Sequence, residues 1–246
     1  MDKDMTNIIA SLNANQQLSG EAKAILFGYC RDFINFASMV NTELDIDNLS
    51  RQLSTLTQIE SDSSDEIKYS KKDNAIVVSR DKYYKIGDLN NAFAKAVLSM
   101  ITTFKKEDGT LKSGIEFDMN ENKYGTYINS AIEDRIVEFM YGNPDDAIVT
   151  LPSYRDTLVM DLESVVGYDK LIPYFLNGQG ESLFYDVEKL FGSSEKAENF
   201  FNTVEQFGTV STNDLANNSK LELSYSKDIE FLKTVKNNNK FSQLAW

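Results

Sequence analysis

Residues 66–79 read EIKYSKKDNAIVVS, and they carry the clearest β-strand signal in the chain. Two short runs rich in β-branched and aromatic residues, Glu66–Ser70 and Ala75–Ser79, flank the polar segment Lys71–Asn74. The Asp-Asn pair in that segment is typical of a tight turn. The stretch therefore predicts a β-hairpin within a chain whose other patterns are helical.

Apolar residues recur at three- and four-residue steps on both sides of the hairpin, which is the spacing of one helix face. The first sixty residues predict helices, one of them capped by Ser19. The polar run Glu60–Asp65 predicts a loop, because it has no periodicity. After the hairpin, the pattern predicts a helix from Asp88 to about Phe104 and another over Tyr124–Tyr141. We therefore expect a mainly α protein with a small β-hairpin or sheet, an α+β fold.

The sequence shows no repeat of fixed period and no linker rich in proline or glycine. We therefore expect a single domain over residues 1–246. Its parts are an N-terminal helical part (1–60), the hairpin with two core helices (61–142) and a C-terminal helical part (143–246). In the last part, residues 168–239 predict short helices separated by glycines.

The chain contains no histidine. This absence excludes Ser-His-Asp and Cys-His relays and every zinc site that needs an imidazole ligand. The one cysteine, Cys30, allows no internal disulfide and no cysteine-based metal cluster. It lies on an apolar helix face, so we expect it to be a core residue. The sequence predicts no cofactor and no metal ligand.

No apolar run approaches the ~18 residues that a membrane-spanning helix needs. Residues 1–17 also lack the basic flank and the unbroken apolar stretch of a signal peptide. We therefore expect a cytoplasmic protein without a membrane partner.

The chain has a net charge of −13. One acid-rich segment, Glu43–Glu66, has seven acids and one base, Arg51. Direct binding to a phosphate backbone needs clustered cations, so nucleic acid is not an expected partner. A surface that imitates nucleic acid and blocks a basic partner remains compatible with this charge.

Known catalytic motifs are absent: the sequence contains no Walker loop, no GxSxG and no dinucleotide-binding GxGxxG. Carboxylates act without histidine in some enzymes, and here Glu133, Asp134 and Glu138 share one predicted helix. Asp161 and Glu163 form a further pair. Because the chain has 38 acids, such pairs are expected from density alone, and solvated helix faces explain them.

The order of a hairpin, an amphipathic helix, a loop with Ser113-Gly114 and a second helix entered through GTYINSA (residues 125–131) is distinctive. It resembles the zincin-type metallopeptidase-like proteins of Firmicutes and their mobile elements. LSGEAKAILFGYCRDFI (residues 18–34) is similar to the N-terminal helix of those proteins. SYRDTLVMDLESVVGYDKLIPYFLNGQGESL (residues 153–183) is similar to a later stretch, so the resemblance spans about residues 18–208.

In that family, the first helix carries HExxH and the second opens with a segment like NEG, which together hold zinc and supply the general base. Here Ala92 and Ala96 stand where the histidines would be, Phe93 replaces the general base and Ser130 replaces the third ligand. The resemblance implies a zincin-like helical core whose metal site is erased and filled with apolar groups. An ordinary core helix without enzymatic ancestry explains the same residues, and both interpretations predict no zinc-dependent hydrolysis.

Three functions follow as expectations. The first is a non-catalytic protein-binding domain, a pseudoenzyme on a degenerate metallopeptidase-like scaffold whose cleft holds a partner without cutting it. The alternative is an acidic inhibitor or nucleic-acid-mimicking decoy of a basic protein, encoded by a phage or mobile element. The second alternative is an enzyme that uses a pair of carboxylates.

Overall fold

The described part of the chain is mostly helical. A computed structural model describes residues 3–61, 67–79, 91–142, 154–208 and 215–243. These residues form ten helices and three sheets of two or three strands, so the predicted mainly α fold with a small sheet is confirmed. In these five segments, no helix is both long and apolar enough to cross a bilayer.

The helices range from nine to 29 residues, and the strands have five residues at most. The helices are α1 (Lys3–Ala14), α2 (Gly20–Met39), α3 (Ile46–Thr55), α4 (Asn91–Ile101), α5 (Thr126–Tyr141), α6 (Tyr154–Val166), α7 (Tyr168–Leu176), α8 (Gly180–Phe191), α9 (Ser194–Phe207) and α10 (Leu215–Gln243). The strands are β1 (Thr57–Ser61), β2 (Lys68–Ser70), β3 (Ala75–Ser79), β4 (Thr103–Lys105), β5 (Leu111–Ser113), β6 (Phe117–Met119) and β7 (Asn122–Tyr124).

The chain divides into two compact units, each assembled from separate stretches of sequence. The first unit contains Met1–Gly114, Glu133–Val149 and Leu176–Gly178, and the second contains Ile115–Ile132, Thr150–Phe175 and Gln179–Trp246. Their boundaries differ from those of the three consecutive parts expected above, because helix α5 contributes residues to both units. The single domain over residues 1–246 stays a prediction.

The predicted hairpin is present in the first unit. Strands β2 and β3 pair antiparallel, with Tyr69 opposite Ile76. Asn74 ends the turn with a φ of +46°, a left-handed conformation that asparagine tolerates well. The Tyr69 hydroxyl donates to Asn74 Oδ1 at 2.8 Å, and Asn74 Nδ2 donates to the Gln52 carbonyl at 2.9 Å. The turn is therefore tied to helix α3.

Strand β1 corrects the expectation of a loop from Glu60. It pairs parallel with β3, with Thr57 opposite Ala75 and Ser61 opposite Ser79. The sheet order is β1-β3-β2, so the predicted hairpin supplies only two of three strands. The β1 sequence, TQIES, has little strand character of its own, and pairing with β3 decides its conformation. Residues 62–65 of the expected loop lie outside the described segments.

The helix predicted over Asp88–Phe104 ends earlier than expected. Its start lies outside the described segments, and α4 ends at Ile101. Thr103–Lys105 forms strand β4 instead, antiparallel to β5. The hydroxyls of Thr103 and Ser113 share a hydrogen bond of 2.6 Å across this pair. β-branched residues such as Thr103 favour a strand once a partner strand is available.

The helices predicted for the first sixty residues are present through Thr55. Ser19 caps α2 as expected, because its hydroxyl accepts a hydrogen bond from the Ala22 amide at 3.1 Å.

Cys30 is fully buried, so its prediction as a core residue is confirmed. Burial also raises the pKa of its thiol to about 12, which keeps the sulfur protonated and unreactive near neutral pH.

The second unit contains a hairpin that the sequence analysis did not identify. Strands β6 and β7 pair antiparallel around Asn120 and Glu121, whose φ angles are +48° and +68°. Positive φ at both central residues matches the right-handed twist of a two-residue hairpin. The rings of Phe117 and Tyr124 stack at 5.2 Å, and the ring of Phe201 lies 5.3 Å from that of Phe117. The hairpin is thus part of an aromatic core.

Helix α10 corrects the expectation of short helices throughout residues 168–239. It runs for 29 residues without interruption. The predicted breaks do occur before it, since Gly192 and Gly208 follow the ends of α8 and α9. Residues 215–243 contain no glycine and no proline, so the backbone has no local reason to break.

Candidate functional site: a groove lined by two helices of the second unit

The three α4 residues assigned to an erased zinc site have different environments. Ala96 is buried, and the ring of the half-buried Phe93 lies 5.3 Å from that of Tyr29. Ala92 is exposed, so the expectation that it faces the core is wrong. Ser130 is half-buried and belongs to the second unit.

In the first unit, α4 and α5 are joined by polar contacts. The Ser99 hydroxyl donates to Glu133 Oε1, and the Lys95 ammonium lies 2.6 Å from Asp134 Oδ1. Glu133 is only 6% exposed, so its assignment to a solvated helix face is wrong. The resemblance implies apolar packing at this helix. The structure instead places the buried Glu133 and the half-buried Lys95 and Asp134 at the contact of α4 with α5.

A cavity that resembles a binding site lies in the second unit. It is a cavity of about 540 Å³ lined mainly by α6 and α10, which we call the α6–α10 groove. Leu158 of α6 and Ile229 of α10 are buried at its base, and Phe207 contributes a ring. Its volume and apolar base are typical of sites that hold part of a ligand.

A polar cluster, formed by Asp161, Tyr225 and Lys233, joins the two walls of the groove. Tyr225 Oη donates to Asp161 Oδ2 at 3.0 Å, and Lys233 Nζ lies 2.6 Å from Asp161 Oδ1. The Asp161 side chain is 15% exposed, so its assignment to a solvated face is also wrong. Burial, and then the adjacent Asp161 carboxylate, raise the pKa of Tyr225, which keeps its hydroxyl a donor.

The groove carries more negative than positive side chains. Three carboxylates, those of Asp161, Glu222 and Glu230, line it together with one ammonium, that of Lys233. Lys233 is paired with Asp161, and Glu230 is a further acid of the lining. Glu230 is exposed, whereas the Asp161 side chain is 15% exposed, so Glu230 lies nearer to solvent.

The Glu205 carboxylate of α9 holds the start of α5, the helix that contributes Tyr127 to the groove. Glu205 Oε1 accepts hydrogen bonds from the backbone amides of Gly125 at 2.8 Å and Tyr127 at 3.3 Å. These amides open α5, where a carboxylate is favoured by the helix dipole. Tyr127 lines the groove, and the Arg155 guanidinium lies 5.6 Å from its ring centroid. Burial has the largest effect on the pKa of Glu205 and raises it. The hydrogen bonds from the backbone amides act in the opposite direction.

The Asp161 carboxylate is held by groups of the protein itself. Both oxygens of Asp161 already accept hydrogen bonds, one from Tyr225 and one from Lys233, so this buried acid is engaged within the protein. In the part of the chain that the structure describes, no three acidic or cysteine side chains are grouped so that they could hold a metal ion. The groove therefore offers a shaped apolar base and fixed charges.

This groove was not predicted from the sequence, although one local pattern indicates part of it. Tyr225, Ile229 and Lys233 follow each other at four-residue steps, which places them on one face of a helix. Because short helices were predicted for residues 168–239, this face of one continuous helix was not recognised. The pairing of Lys233 with Asp161 joins residues 72 positions apart, and no local pattern predicts such a contact.

Comparison with models of protein families gave no match, and comparisons with curated proteins and with solved structures gave none either. The resemblance to zincin-type proteins therefore stays a prediction.

Proposed function

We propose that this chain is a non-catalytic protein-binding protein whose α6–α10 groove holds a basic segment of its partner. The bound segment places an arginine or lysine next to Glu230 and an apolar side chain against Leu158 and Ile229. The observation that carries the proposal is a cavity of about 540 Å³ with an apolar base and an excess of carboxylates.

The chemistry of the groove supports holding rather than cutting. Asp161, whose side chain is 15% exposed, has both oxygens engaged by Tyr225 and Lys233. A general acid or base must instead reach the reacting group of the substrate. The exposed Glu230 supplies charge complementarity, which selects a basic partner and excludes an acidic one.

The net charge of the chain supports the same class of partner. A charge of −13 attracts a basic protein over distances comparable to the Debye length and speeds its encounter. Apolar burial in the groove then holds the segment with little dependence on salt. Under this proposal, high salt slows association far more than it speeds dissociation.

A peptide library tests the proposal. The probe is a positional library of acetylated hexapeptides, and the expected selection is arginine or lysine beside leucine or phenylalanine. Glu230→Gln should weaken binding of the selected peptide about tenfold, which corresponds to loss of one charge-assisted contact. Glu195→Gln, an exposed change on α9 outside the groove, is the matched control and should leave affinity unchanged. Selection of acidic peptides, or equal losses in both variants, contradicts the proposal.

The acidic decoy is a second candidate, supported by a different surface. Glu43, Asp45 and Asp47 are all exposed, at the start of the acid-dense segment. A decoy acting through this surface would lose its partner when Glu43 and Asp47 are changed to lysine, whereas the groove variants would retain it. Pull-down of a basic partner with both sets of variants separates the two functions.

A further inference from the structure

The α6–α10 groove is long and narrow. Its α10 wall runs from Glu222 to Asn237, and the residues that line it recur every three or four positions. A helix rises about 1.5 Å per residue, so this wall is about 22 Å long. Over that length, the volume of about 540 Å³ corresponds to a mean cross-section of about 24 Å².

This cross-section decides between the two conformations that a bound segment can take. A helix with its side chains is ~10–12 Å across, so its cross-section is roughly 80–110 Å² and only one row of its side chains enters the groove. An extended chain occupies ~4.8 Å along a sheet and ~10 Å across it, which is roughly 48 Å², half of it on each face. One face of an extended chain therefore fills the groove along its whole length.

An extended chain must find hydrogen-bond partners for its backbone. The described residues that line the groove belong to the helices α5, α6, α9 and α10, whose backbone groups are paired within each helix. Among these residues there is no strand edge, which is the usual partner of an extended segment. Side chains of the walls therefore have to supply the partners.

Three polar side chains on the two walls are available for this pairing. Thr157 of α6 and Ser226 and Asn237 of α10 line the groove and are exposed. In the described segments, none of the three side chains makes a hydrogen bond or an ion pair. A hydroxyl and a carboxamide both donate and accept, so each can pair with a peptide N–H or C=O. Ser226 and Asn237 lie about 16 Å apart along α10, the length of about five extended residues.

We propose that the α6–α10 groove binds its basic segment as an extended chain, whose backbone is held by the side chains of Thr157, Ser226 and Asn237. This inference rests on the proposed function and adds the conformation of the bound segment to it. The partner is then an unfolded basic segment and not a preformed amphipathic helix, because only an unfolded segment presents its backbone to these side chains.

The extended conformation fixes the sequence pattern of the segment. Successive side chains of an extended chain point to opposite faces. Two apolar side chains separated by one residue therefore contact the buried Leu158 and Ile229, and the basic residue between them points to the solvent side, where Glu230 is exposed. A helix would instead need its apolar residues three or four positions apart.

A pair of isomeric peptides tests this pattern. Both are acetylated alanine hexapeptides with one arginine and two leucines, and the full chain is titrated with each by calorimetry. The leucines flank the arginine in the first peptide and lie three positions apart in the second. We expect the first peptide to bind at least tenfold more tightly, because an extended chain buries only one leucine of the second. Equal affinities, or tighter binding of the second peptide, overturn the extended conformation.

A pair of serine variants tests the backbone contacts. Ser226→Ala should weaken binding of the first peptide about fivefold, through the loss of one neutral hydrogen bond. Ser224→Ala, at an exposed serine of α10 outside the groove, is the matched control and should change the affinity by less than twofold. Because both serines are exposed, circular dichroism of the two variants should match that of the wild type. Transferred NOEs of the bound peptide should join each Hα to the next amide proton, as in an extended chain.

Failure of this inference and failure of the proposed function give different results. Equal effects of Ser226→Ala and Ser224→Ala, or the amide-to-amide NOEs of a helix, overturn the extended conformation. In that case Glu230→Gln still weakens binding, and the proposed function stands. Binding of neither peptide, or selection of acidic peptides from the library, overturns both.

Discussion

At the scale of single residues, burial decides what each polar group contributes. The hydroxyl of Tyr225 donates to Asp161, whereas the hydroxyl of Tyr124 finds no hydrogen-bond partner among the described residues. Tyr124 is 1% exposed and lies within the aromatic core of Phe117 and Phe201. An unpaired buried hydroxyl costs free energy, while a paired one stabilises the fold.

Replacing each tyrosine by phenylalanine should therefore have opposite effects on the free energy of unfolding. Tyr124→Phe should raise the free energy of unfolding by about 1 kcal/mol, because it removes an unpaired polar atom. Tyr225→Phe should lower it by about 1 kcal/mol or more, because it leaves one oxygen of Asp161 without its donor. Urea unfolding of both variants measures the difference. Equal changes of the same sign in both would contradict these assignments.

Glu205 predicts a pH dependence of stability. Burial raises the pKa of Glu205 in the folded state, so the folded state holds this proton more tightly than the unfolded chain. The resulting stabilisation is fully present below the unfolded pKa of about 4.3 and is lost as the pH rises through the folded value. Glu205→Gln keeps an acceptor for the Gly125 amide but does not titrate.

The measurement is the free energy of unfolding of Glu205→Gln relative to the wild type, as a function of pH. The free energy of unfolding of the variant should increase relative to that of the wild type as the pH rises from the unfolded to the folded pKa of Glu205. Above the folded pKa, the difference should level off. A difference that shrinks over the same window would mean that the α5 amides outweigh burial and that the pKa of Glu205 is lowered. Glu195→Gln, exposed on α9, serves as the control and should show little change.

At the scale of elements, α10 carries most of the groove. Its buried residues Tyr225, Ile229 and Leu232 hold it on the second unit, and its four-residue steps bring Lys233 to Asp161. A single continuous helix is needed to keep Glu222 and Lys233, 11 residues apart, on one wall.

Breaking α10 at an exposed site tests this continuity. Lys227 is exposed and lies between these two residues in sequence. Lys227→Pro should cost about 3 kcal/mol, because proline removes an intrahelical hydrogen bond and clashes with the preceding turn. Lys227→Ala should be close to neutral. Thermal unfolding compares the two, and equal melting temperatures would show that α10 is not continuous at this point.

The elements also show how far the sequence predicts the structure. The hairpin of β2 and β3 and the helices of the first sixty residues could be predicted, because turn residues and periodicity are local. Strands β1, β4 and β6 could not, since their sequences lack a clear strand pattern and their conformation depends on pairing with a partner strand. The groove escaped prediction for the same reason: Asp161 and Lys233 lie 72 positions apart.

At the scale of the whole molecule, the net charge and the groove have the same sign. The chain has a net charge of −13, and three carboxylates and one ammonium line the α6–α10 groove. This groove lies within the second unit. We therefore expect a basic protein segment to bind there.

We propose that the α6–α10 groove holds a basic peptide without cutting it. The most direct test is methyl NMR of the full chain titrated with the selected peptide, with mass spectrometry of the peptide after long incubation. We expect saturable shifts of the Leu158 and Ile229 methyls, no shift of Leu49 in the first unit, and an intact peptide. Shifts confined to the first unit, or cleavage of the peptide that a chelator abolishes, would contradict it.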